Sequence, residues 1–231
     1  MTPTLRFDAP PPFTKKILIA VTILYVAELI LAQWMHLPLR EQMVWDSRTI
    51  VPWQGLSHLL FLGDSPLGFL FNLLALYFFL PPLQSKFGRK GVYNLAYYTI
   101  GLVVLIGYMG IFSGAVIDSI AMGLGAFITA LVVVFGMSNP NATILLLFFP
   151  VQAIWIAWGT GAFVALQFLA TRELSPLLSV AGWIAGWLFL ELRPGGNLRK
   201  KYIRYKHDQK YNHLQVREGG KSSKNSNDTI H

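Results

Sequence analysis

The sequence predicts an all-α membrane protein, a bundle of six spanning helices. Three observations carry that expectation. Hydrophobic residues make up 54% of the 231-residue chain and charged residues only 13%, about half the charged share of an ordinary soluble domain. The apolar residues fall in runs close to the ~20 residues that a helix needs to cross a hydrocarbon core of ~30 Å. The 19 Lys and Arg lie almost entirely outside those runs, ten of them beyond Leu192. Cysteine is absent, which excludes a disulfide framework, a thiolate metal site and a cysteine nucleophile.

Residues 1–16 are polar and proline-rich and end in Lys15-Lys16. They read as an N-terminal segment outside the membrane. Residues 17–34 are apolar apart from Glu28 and form the first span. The run is too long for a signal-peptide core and has no clear small-residue cleavage site. An acid in a span is costly, so Glu28 either snorkels from the outer end or faces a cavity or a partner subunit. Residues 35–52 are mixed. Residues 53–61 are apolar but broken by Gly63-Asp64-Ser65-Pro66, as in an interfacial or re-entrant segment. Residues 67–80 continue as helix toward Lys86 and make the second span. Gly88-Arg89-Lys90-Gly91 is a charged turn, and residues 92–111, without a charge, are the third span.

Residues 113–119 form a short loop in which Asp118 reads as a helix cap. Residues 120–137 are the fourth span, ended by the turn chemistry of Ser138-Asn139-Pro140-Asn141. In the long apolar run 143–169, Pro150 separates an interfacial stretch, 143–149, from the crossing stretch, 151–169. Thr171-Arg172-Glu173 is a tight hairpin, and residues 174–190 are the sixth span. No strand alternation is evident. The organisation is therefore 1–16, a membrane domain over 17–191, and a basic tail over 192–231. Within the tail, residues 197–217 are suited to anionic lipid, and residues 219–231 are of low complexity.

Basic residues set the orientation. The termini and every second loop share sixteen Lys and Arg, against Arg40, Arg48 and Arg172 on the other side. The positive-inside rule then places both termini in the cytoplasm, as an even number of spans requires. Trp34, Trp45 and Trp53 fall near the outer interface, where an aromatic belt is expected. The expected setting is a multi-pass protein of a bacterial plasma (inner) membrane.

Several stretches resemble one family. Pro52-Trp53-Gln54, then Leu70 to Phe79 (LFNLLALYFF) and Pro81-Pro82-Leu83, are similar to the first loop and second helix of rhomboid intramembrane serine proteases. Tyr97-Tyr98-Thr99-Ile100-Gly101 resembles their third helix. Phe135-Gly136-Met137, Asn139-Pro140-Asn141 and the TILLLFFP run ending at Pro150 resemble the end of their fourth helix and the start of the fifth. Ala185-Gly186-Trp187-Leu188 resembles their sixth. The resemblance covers about residues 15–193, in order. It implies a rhomboid-like six-helix bundle.

The same resemblance implies where an active site would lie. The family's nucleophile is a serine in a Gly-x-Ser-Gly motif opening helix four, and its base is a histidine on helix six. A His and an Asn four apart on helix two help to hold the oxyanion. Here the motif falls on Gly123-Leu124-Gly125-Ala126, with Gly125 at the serine position. The base falls on Ser179. The helix-two histidine falls on Gly68, while Asn72 matches and is expected to bond across helices. The five histidines are 36, 58, 207, 213 and 231, so helices three to six hold no imidazole, and they hold no lysine. A serine hydroxyl without an adjacent base is a poor nucleophile.

Ser113-Gly114-Ala115 imitates the nucleophile motif, but using it would start helix four a loop too early; Ser113 reads as a loop serine. His58 reads as an interfacial residue with one hydrogen bond, in the range where imidazole titrates near neutral pH. Gly182 and Gly186 form a Gly-x3-Gly face on helix six, and with Gly123 and Gly125 they predict that helices four and six pack closely. The expected protein is a catalytically inactive rhomboid-like protein. It uses no cofactor, metal or nucleic acid, and its partners are the bilayer, other transmembrane helices or subunits of a larger membrane complex, and anionic lipid at the tail. An active protease with relocated groups is the alternative. A transporter would need more polar lining than Glu28, Asn72 and Gln152 offer.

Overall fold

The computed structural model describes residues 10–31, 42–49, 51–62, 65–146 and 149–193. Trp34, Arg40, Glu41, the Gly63-Asp64 break and the tail from residue 194 lie outside them. The chain divides into two units, Met1–Leu190 and Glu191–His231. The first holds every described element except the last two residues of the final helix.

The first unit is mostly helical: α1 (Pro12–Leu29), α2 (Gln54–Ser57) with a 3-10 turn (His58–Leu60), α3 (Pro66–Phe112), α4 (Gly125–Ser138), α5 (Ala153–Thr171) and α6 (Leu174–Leu192). Among the described residues, α3, α5 and α6 are long and apolar enough to cross a membrane. Strands were not expected, yet two short antiparallel pairs occur. β1 (Trp45–Asp46) pairs with β2 (Ile120–Ala121), and β3 (Thr143–Leu146) pairs with β4 (Phe149–Gln152). Strands of two and four residues are too short to display a period-2 pattern. Leu145 lies opposite Pro150; a two-stranded ribbon accepts proline because one edge of each strand needs no donor.

Helix α3 starts on Ser65, whose Oγ accepts from the Gly68 N–H at 3.1 Å, with Pro66 at the first helical position. A straight helix of 47 residues would be ~70 Å long, over twice the hydrocarbon thickness. Gly88 breaks it with φ 67° and ψ −179°, a conformation open to glycine alone. The helix resumes at once at Arg89. The four-residue turn expected over 88–91 is thus a single-residue bend between 66–87 and 89–112.

Helix α4 begins at Gly125, five residues later than expected. Ile120 and Ala121 are held in the ribbon with β1, and Gly123 has φ 89°, so the chain cannot be helical there. Asp118, expected as a cap, is exposed in the preceding loop and caps no helix. The 14 residues of α4 span ~21 Å. Ala130, Leu131, Val133 and Val134 are at most 1% exposed, so α4 is wrapped by the other helices. On one side Gly136 meets α5 so closely that a Cβ there would strike the Ala153 carbonyl oxygen and come within 2.7 Å of the Ala157 Cβ.

Helix α5 ends at Arg172, which is left-handed at φ 54°. Its guanidinium donates to the Gly114 and Ala115 carbonyl oxygens at 2.7 and 3.1 Å. Ser119 Oγ accepts from the Leu174 N–H at 2.8 Å. The 171–173 hairpin is thereby tied to the 113–119 loop. Helices α5 and α6 are joined by the Trp183 Nε1–H, which donates to the Ala157 carbonyl at 2.9 Å, with Gly161 leaving room for the indole.

Candidate functional site

The site expected from the sequence lies where α4 begins. Gly125 is the first residue of α4. A Cβ built on it would sit 3.7 Å from Ser179 Oγ on α6. The two positions assigned to a nucleophile and its base are therefore neighbours across the helix pair, although 54 residues separate them in the chain. Neither carries the chemistry. Gly125 has no side chain, and the Ser179 hydroxyl donates to its own helix, to the Ser175 carbonyl oxygen at 3.2 Å.

The cause of the close approach is the glycine face of α6. A Cβ on Gly182 would collide with the Ala126 carbonyl group of α4. One on Gly186 would stand 2.7 Å from the Ala130 carbonyl oxygen and 3.1 Å from the Val133 Cβ. Both glycines therefore face α4 backbone, and the expected seam of α4 and α6 is present. Gly123 is not part of it. Its amide donates to the His58 carbonyl oxygen at 3.0 Å, and its nearest neighbours are the carbonyl oxygens of Phe61 and Leu62. Gly123 serves a close approach of the 58–62 segment, with a positive φ that disfavours any side chain.

Gly68 and Asn72 stand apart from this pair. Gly68 is exposed in the first turn of α3, with only Ser65 within 4 Å of a built Cβ. Asn72 is half-buried and makes no side-chain hydrogen bond to any described residue, so the interhelical bond expected of it is not formed. Ser113 ends α3 and donates to the Gly110 carbonyl at 3.1 Å.

His58 is 1% exposed, more deeply buried than an interfacial residue. Its Nδ1–H donates to the Gln54 carbonyl at 3.1 Å, and its ring packs on Trp45 at 5.2 Å. Burial pushes its pKa below the ordinary 6.5, against the smaller opposing effect of the backbone hydrogen bond. The folded state therefore keeps His58 neutral while the unfolded chain protonates. Between the lowered folded value and 6.5 the unfolded state binds more protons, so stability is full above pH 6.5 and declines as pH falls below it. Thermal melts in detergent from pH 7.5 to 5.0 should show a falling midpoint, and His58→Gln should flatten that dependence.

Two residues have roles other than those the sequence suggests. Glu28 does not snorkel to the surface. It is buried, and its Oε2 accepts the Leu62 N–H at 2.7 Å. It ties the loop beneath α2 to α1 across 34 residues of sequence. Trp45, expected at an aromatic belt, is fully buried against His58, Tyr108 and Gly107, whereas Trp53 is 62% exposed. No periodicity marks either contact, because each partner sits in irregular backbone or in another helix. Among the described residues no cluster of His, Asp or Glu could hold a metal.

The described residues form a mostly helical fold with an apolar, tightly packed centre and three helices long and apolar enough to cross a membrane. No family model matches the chain, and no curated protein matches it.

Proposed function

We propose that this chain is a rhomboid-like membrane protein without proteolytic activity, which binds other transmembrane segments. The observation that carries the reading is the meeting of Gly125 and Ser179. Residue matches drawn from separate stretches of sequence fall within van der Waals reach of one another, on the two helices that the resemblance implies. Acyl transfer by a serine needs a hydroxyl and a base in hydrogen-bond contact. At this pair there is one hydroxyl, committed to its own helix, and no base.

Six spans follow in this reading from α1, the two limbs of α3, α4, α5 and α6. The Gly88 break supports it, since one α3 can then cross the membrane twice. The short α4 fits a helix whose upper end is capped by loops rather than lipid. Both termini face the cytoplasm of a bacterial cell by the charge count. Partner helices would meet the outward faces of the 66–87 limb and of α5, where Leu67, Phe71, Trp155 and Phe163 are each more than 60% exposed.

The test has two parts. A fluorophosphonate serine probe applied to the protein in native membranes should leave it unlabelled, and mild-detergent purification should bring other membrane proteins along in fixed ratio. Stoichiometric labelling at Ser113 or Ser179 would overturn the loss of activity. A protein that always emerges alone would overturn the binding role.

A further inference from the structure

The bend at Gly88 gathers cations that the packing of the bundle does not require in that number. Lys86, Arg89 and Lys90 flank it, all exposed. Lys86 Nζ donates to the Ser138 carbonyl oxygen at 2.6 Å and so serves the junction with α4. Arg89 lies over the Phe13 ring at 5.5 Å, and Phe13 meets Tyr93 edge-on at 5.7 Å. The first turn of α1, which carries the exposed Lys15 and Lys16, is thus fastened beside Arg89. No carboxylate occurs between Asp64 and Asp118, so the whole of α3 offers these cations no counter-charge.

From this basic end a shallow groove of about 420 Å³ runs down the 89–112 limb, lined by Asn94, Tyr97, Tyr98, Gly101, Leu102 and Leu105. Lys90 stands on the same helical face. Steps of four, seven, eight, eleven and fifteen residues lead from it to Asn94, Tyr97, Tyr98, Gly101 and Leu105, which are the spacings of one stripe. Gly101 is the notch in that stripe: a Cβ there would meet nothing within 4 Å. From Asn94 to Leu105 the groove extends ~16 Å along the helix. That is the length of an acyl chain within one leaflet, about half the hydrocarbon thickness.

We propose that this face binds one anionic phospholipid, its phosphate among Arg89, Lys90 and the Lys15-Lys16 pair and one acyl chain along the Gly101 groove. Charge complementarity chooses the occupant. A neutral partner helix would fill the groove and leave the cations unanswered, whereas an anionic lipid satisfies both ends with one molecule. Tyr97 and Tyr98, polar at the tip and apolar in the ring, line the groove between headgroup and chain, as tyrosines do at the membrane interface. None of the residues named for the site belongs to the tail beyond Leu192, and the site does not depend on whether the α4–α6 seam is catalytically inert.

Native mass spectrometry of the full-length protein, released from detergent with phosphatidylglycerol or phosphatidylcholine, tests this. One phosphatidylglycerol should be retained in preference to phosphatidylcholine. Arg89→Gln with Lys90→Gln should weaken that binding about thirtyfold, at about fivefold per cation removed near an anionic headgroup. Gly101→Leu, which keeps every charge and has open space for its side chain, should also release the lipid. Equal retention of the two lipids would overturn the proposal. Undiminished binding in Gly101→Leu would overturn it too, by showing that the tail and surface charge alone hold the lipid.

Discussion

Gly182→Ala is expected to destabilise the folded protein by about 1–3 kcal/mol, the usual cost of forcing volume into a packed site. The sign is the informative part. Alanine is the better helix former by ~1 kcal/mol in a helix interior, so propensity alone predicts a gain. Here the added Cβ is directed into the backbone of Ala126. A backbone carbonyl, held in the α4 ladder, cannot swing aside as a side chain can. Either α4 and α6 move apart along the whole seam or the contact stays strained. Gly182→Leu should abolish folding. Gly159→Ala on α5, where a Cβ meets nothing within 4 Å, is the control and should be neutral or stabilising. Unfolding midpoints in mixed detergent and dodecyl sulfate measure all three. Equal effects of Gly182→Ala and Gly159→Ala would refute the seam.

Trp45→Ala should cost about 3–5 kcal/mol, the range for truncating a large buried aromatic. Trp45 is wholly buried, and its ring lies 4.9 Å from Tyr108 and 5.2 Å from His58. Through it the β1–β2 ribbon is anchored on α3, so its loss should also free the 45–62 segment. Trp45→Phe should cost much less. The indole Nε1 is buried without a hydrogen-bond partner among the described residues, so phenylalanine forfeits contact area and no hydrogen bond. The absence of a Cβ at Gly107 makes room for the same indole. Gly107→Ala should therefore be damaging alone and far less so in the Trp45→Ala background. That non-additivity, read in a double-mutant cycle, is the signature of a shared contact. Protease accessibility of the 45–62 segment is the second readout.

The two seams have different histories in the sequence. Gly182 and Gly186 stand four apart in an apolar run, which is enough to expect a close helix contact in lipid. Composition also told where helices lie, since apolar runs of 14 to 20 residues have few other solutions in a membrane. Trp45 was legible as an aromatic near a loop and no more. Whether such a ring faces headgroups or core depends on a glycine 62 positions away, and no local pattern encodes that distance. Glu28 is the same case with a polar group. Its acid looked costly in a span until the Leu62 amide, itself in irregular backbone, supplied the donor.

Chain composition, glycine spacing and the order of apolar runs were sufficient to predict a mostly helical chain with apolar helices long enough to cross a membrane, and the close packing of α4 with α6. Those features depend on residue type and local period, both of which are written in one dimension. Only the tertiary structure decided the late start of α4, the single-residue bend at Gly88, the burial of Trp45 and His58, and the bond from Glu28 to Leu62. Apart from the bend, which is a local conformation of Gly88, each is a contest between local backbone preference and a distant partner, and its outcome is set where the chain returns to meet itself.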